Sequence, residues 1–145
     1  MAWYNQVDSE KKFRLGTRKK DVAGNEYIYL AGVSSNAEGK FVVFDESFAT
    51  TLLTADEVGP VGVSMGAFDA TTEYGWAQIY GKNTVASTDT VAADKQLFID
   101  GTAGRADDAD VAGDFIVGAY SMSADTANVA SVWLNYPSVG DAAHD

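Results

Sequence analysis

The chain contains no cysteine, which excludes thiol catalysis, disulfide staples and thiolate metal centres and fits synthesis in a reducing compartment. Its single histidine, His144, stands one residue from the end. Catalytic groups must be held to fractions of an ångström, so a histidine in a frayed tail does not serve as a catalytic base. No apolar run approaches the ~20 residues needed to cross a bilayer, and the first residues lack the apolar core of a signal peptide. A soluble chain without membrane contact and without a cleaved signal is expected. No glycine-rich loop has phosphate-cradling spacing. Together these absences give a non-enzyme with no catalytic residues, no cofactor and no metal.

What is present suits one domain. The 145 residues are 46% hydrophobic and 21% charged, enough to build a core without staples. The net charge of −11 is unevenly spread. Residues 1–20 hold six of the ten basic side chains, Lys11, Lys12, Arg14, Arg18, Lys19 and Lys20, against Asp8 and Glu10, so this segment is +4 and the remainder −15. Trp3, Tyr4 and Phe13 are interleaved with this charge, yet no sustained period marks a helix or strand. Residues 1–21 therefore read as an extended basic arm. A basic, aromatic segment suits phosphates or an acidic protein surface, and a body at −15 opposes approach to nucleic acid. The arm is expected to be mobile in the free protein and ordered on a protein partner.

Residues 60–81 organise the rest. In Val61-Gly62-Val63-Ser64-Met65-Gly66 large and small residues alternate, and in Tyr74-Gly75-Trp76-Ala77-Gln78-Ile79-Tyr80 the large ones fall at every second place. Period two is a strand period, so the pair reads as a hairpin across a short break. Its glycines bare one face to another sheet or subunit. Further strands are expected at residues 26–31, 40–45, 48–54, 96–100, 114–120 and 129–136, and residues 82–86 continue as a strand or as the extension of the hairpin's second one. One helical turn is expected after Thr54, and turn chemistry throughout residues 101–113. Pro137 should end the last strand, leaving 138–145 as a flexible tail around a β domain of 22–137.

An offset of 55 residues lays residues 37–45 over 92–100, 60–65 near 115–120, 74–80 on 129–135 and 27–31 beside 82–86. The expected fold is all-β, a single-domain sandwich or barrel built from two similar groups of about four strands. Asp107, Asp108 and Asp110 could gather as oxygen ligands for calcium, or bond their own backbone as turn aspartates commonly do. Trp76 or Trp133 could floor a sugar groove. Equally, Tyr74, Trp76, Trp133 and Tyr136 could pack a core or a subunit interface.

The order Gly24-x-Glu26-Tyr27, Val61-Gly62-Val63, Tyr74-Gly75-Trp76-x-x-x-x-Gly81, Thr102-Ala103-Gly104-Arg105-x-Asp107-Asp108-Ala109 and Tyr136-Pro137 resembles the small head decoration, or capsid cement, proteins of tailed bacteriophages over residues 13–137. The resemblance implies a non-enzymatic β protein, a homotrimer, made in the host cytoplasm and carried on the virion. There it would stabilise the shell by binding the major capsid protein across subunit junctions. The arm with Trp3, Tyr4, Lys11, Lys12, Phe13, Arg14, Arg18, Lys19 and Lys20 matches that family's capsid-gripping segment. A tail or fibre module and a carbohydrate-binding module are the alternative readings.

Overall fold

In the computed structural model, which describes residues 2–111 and 114–140, a turn of 3-10 helix at Trp3–Asn5 precedes ten strands. They are β1 (Arg18–Lys20), β2 (Glu26–Ala31), β3 (Phe41–Phe44), β4 (Thr50–Leu52), β5 (Gly59–Ser64), β6 (Tyr74–Ser87), β7 (Gln96–Ile99), β8 (Ala106–Asp107), β9 (Phe115–Ser121) and β10 (Val129–Val139). Every strand-to-strand ladder is antiparallel, and no α-helix occurs among the described residues. The fold is all-β.

The 55-residue offset is a structural repeat. In the first group β3 pairs with β4 and β5, β5 with β6, and β6 with β2. In the second, β7 pairs with β8 and β9, β9 with β10, and β10 with the later part of β6. Ile28 faces Ala77 in the first group, and Asn83 faces Val132 in the second, each 55 residues further on. Each group also curls back on itself. The Ala31 N–H donates to the Phe48 carbonyl and the Thr50 hydroxyl to the Ala31 carbonyl, while the Asp89 N–H donates to Ala106. One strand serves both groups: β6 is the last strand of the first and the opening strand of the second.

Alternation along the strands sorts the side chains into layers. Ile28, Leu30, Val42, Phe44, Ala77 and Ile79 line the inside of the first group together with Phe68. The outward residues Phe41, Val43, Val61 and Val63 are buried with Leu97, Ile99, Ile116, Val132 and Leu134 of the second group in the largest core. A third cluster, Tyr27, Tyr29, Met65 and Trp76, lies on the remaining outer face of the first group.

Several expectations are corrected. The break between β5 and β6 spans residues 65–73, and it is no tight turn because it carries the fully buried Phe68 back over the sheet. The glycine-bared positions are filled from within the chain: a Cβ at Gly75 would overlap the Phe68 ring, and one at Gly62 would press on Ala77. The Thr54 segment makes a turn closed by Glu57 N–H to Thr54 carbonyl, with no helix. Residues 101–113, expected as turn throughout, contain β8. Pro137 does not end the last strand, because it sits at a bulge where Gly118 and Tyr136 take positive φ and the β9–β10 register slips. Ser138 and Val139, assigned to a flexible tail, pair with both β5 and β9. The rest of that tail, 141–145 with His144, lies outside the described residues.

Gly75→Ala should lower the free energy of unfolding by about 1–3 kcal/mol, the cost of overpacking a filled site. Urea denaturation measures it, and an unchanged midpoint would show that Phe68 moves aside freely.

Candidate functional site

The N-terminal segment is a strap laid over the first group, not an extended arm. Asp8 exchanges backbone hydrogen bonds with Tyr74, both 2.9 Å, and its buried carboxylate accepts the Tyr29 hydroxyl at 2.7 Å. Burial first, and then this bond to Asp8, push the Tyr29 phenol up to about 12. The Lys12 ammonium stands 3.8 Å from the same carboxylate. Tyr4 stacks on Tyr27 at 4.7 Å, while Trp3 meets Trp76 edge-on at 5.1 Å and Phe13 meets it at 5.3 Å. Lys19, on β1, caps this assembly with its ammonium 4.7 Å from the Trp3 ring, 5.0 Å from Phe13 and 5.8 Å from Trp76. The aromatic residues that lack sequence partners thus find them on β2 and β6. Lys11, Arg14 and Lys20 remain exposed, and Arg18 reaches the Glu26 carboxylate, which also accepts the Tyr136 hydroxyl at 2.6 Å.

Of the four candidate packing residues, Trp76 is 2% exposed beneath the strap and cannot floor a sugar groove. Tyr74 is half-buried beside Tyr29. Trp133 and Tyr136 lie on the outer side of the second group, where each contacts Tyr80. The aspartates of the turn do not converge: no cluster of three metal-ligating side chains occurs among the described residues, and Asp108 accepts the Ala92 N–H. Asp107 instead faces Asp100. Burial and then the bond to Asp100 push Asp107 up to about 6, while the Thr102 N–H and Asp107 hold Asp100 low against the effect of burial. Asp107 is therefore the carboxyl of the pair that takes up a proton first as pH falls.

The feature that sequence reading missed is the outer face of the second group. Ile116, Ala119, Val132 and Leu134 point inward, so Phe115, Val117 and Tyr120 of β9, Met122 just after it and Val129 of β10 point out and are exposed. Tyr120 stands beside Trp133 in register, and the Phe98 and Phe115 rings meet at 5.8 Å. Not one aspartate or glutamate occurs in β7, β9, β10 or the Tyr80–Ser87 part of β6, although the chain has 21. The only charge there is Lys82. The missing acids were a legible signal, but the apolar run of β9 read only as a strand, with no side assigned to it.

No family model, curated protein or solved structure matches this chain.

Trp3→Ala should lower the free energy of unfolding by about 2 kcal/mol, roughly half the cost of truncating a fully buried tryptophan. Thermal melting of the variant checks this, and an unshifted melt would mean that the strap contributes nothing to stability. The carboxyl pair gives a pH test. Because Asp107 binds its proton more tightly folded than unfolded, where its value is 3.8, its stabilising contribution is complete below that value and is lost as pH rises through about 6. Asp107→Asn should gain stability relative to the parent between acid and neutral pH, and parallel pH profiles would refute the upward shift of Asp107.

Proposed function

We propose that the protein is a structural virion protein that decorates and stabilises the head of a tailed bacteriophage. It binds the outer surface of the major capsid protein shell across subunit junctions, as a homo-oligomer and on the particle as a trimer. It carries out no chemistry and needs no cofactor, nucleic acid or membrane.

The observation that carries this reading is the acid-free, aromatic outer face of β9 and β10. A contiguous exposed apolar patch on a chain of net charge −11 is a protein-docking surface by composition, since interface cores are depleted of charge and enriched in aromatic residues and methionine. The equivalent outward residues of the first group, Phe41 and Val43 of β3 with Val61 and Val63 of β5, are covered by the second group. No described residue covers the outer face of β9, where Phe115, Val117 and Tyr120 are exposed. The order of sequence motifs narrows the partner to a phage shell. The strap changes how docking works: Trp3, Tyr4 and Phe13 are held by the protein's own sheet, so its exposed lysines and arginines steer approach while the β9 face supplies the contact energy. The glycines no longer argue for subunit contact, so self-association rests on the same uncovered face.

Heads stripped of this protein should rebind it, and Val117→Asp or Tyr120→Asp should weaken rebinding by about thirtyfold, the ~2 kcal/mol of an interface hot spot. Lys11→Ala should change mainly the association rate. Rebinding unaffected by either aspartate, or purification of the protein with tails and not heads, would overturn the reading.

A further inference from the structure

A cleft of about 470 Å³ opens where β6 changes partner, between Tyr4 of the strap, residues 23–25, and the outer side of β6 and β10. We propose that this cleft binds a pyranose ring of a neutral glycan. Its volume lies within the ~300–1000 Å³ of small-ligand sites. Two of its walls are aromatic and already fixed: Tyr4 is stacked on Tyr27 within 5° of parallel, and Trp133 is braced edge-on by Tyr80 at 5.5 Å. Rings held in place before binding offer apolar contact at little entropic cost.

At the base of the cleft the Gln78 amide has both of its donors engaged. The buried Gln78 amide donates to the carbonyls of Tyr80 and Lys82, and its oxygen accepts the Asn83 amide at 2.9 Å. Specificity therefore falls to the rim. There the polar ends of Tyr4, Tyr80, Lys82 and Thr84 take no hydrogen bond or ion pair from other described residues. Aromatic walls and scattered hydroxyl and ammonium donors at the rim match the two kinds of surface on a sugar ring, its C–H groups and its hydroxyls. A lipid chain would want uniformly apolar walls, and a phosphate would want more than the single cation Lys82. This site does not rest on head docking, because Val117 and Tyr120 lie outside it.

The test is saturation-transfer NMR on the full chain with methyl α-glucoside, methyl α-mannoside, methyl β-galactoside and N-acetylglucosamine as separate probes. At least one should show transfer to its ring protons with millimolar-range affinity, about −4 kcal/mol. Trp133→Ala should weaken that binding about tenfold or more. Lys82→Ala and Thr84→Ala, both changes at exposed positions, should each weaken it measurably. No transfer from any probe, or transfer unchanged in all three variants, overturns the proposal.

Discussion

Everything in this molecule depends on one strand being shared by two groups. β6 must hydrogen-bond to β2 and β5 along its first half and to β10 along its second. The exchange takes place around Gly81, whose φ of +104° suits glycine, and a Cβ there would run into the Asn25 side chain. Gln78 and Asn83 stand on either side of the exchange, where the Gln78 amide donates to the carbonyls of Tyr80 and Lys82 and accepts from the Asn83 amide. Because the strand is continuous, neither group can shift register without moving the other. The cleft beside Trp133 is a consequence, since two groups that diverge from one strand leave a gap between their outer faces.

The strap follows from the repeat being imperfect. The offset that carries Tyr27, Tyr29 and Trp76 of the first group into the second arrives at Lys82, Thr84 and Ser131. Three large aromatic side chains on an outer face need cover, and the strap gives it with further aromatic rings and the Lys19 ammonium. A lysine, a threonine and a serine can face water as they are. One group is therefore sealed by the chain's own N-terminal segment, while its counterpart stays open on the same side.

Charge is distributed with the same asymmetry. The acids gather in turns and loops and avoid β7, β9, β10 and the later half of β6 altogether. The basic side chains concentrate on the strap and on β1, and only Lys12 and Arg18 among them pair with carboxylates within the described residues. The surface thus has a basic patch over the first group and an uncharged aromatic patch on the second. Such an arrangement orients a partner electrostatically and holds it by apolar contact.

The sequence by itself determined the β class, the positions of most strands and the pairing of the halves. Alternation is a local property of a two-residue period, and the repeat is written in residue order. Even the extension of β6 through residues 82–86 was legible in this way. Tertiary structure alone decided what lay across the sheet from a given residue. Trp3 and Phe13 looked partnerless because Trp76 is more than sixty positions away in the chain, and Gly75 looked like a docking surface because Phe68 comes back from a loop with no strand pattern. β10 runs through Pro137 because its bulge and its change of partner to β5 free that residue from donating a ladder bond. Whether β9 is buried on one side or two depends on what covers it, and no local pattern encodes the presence or absence of a distant layer.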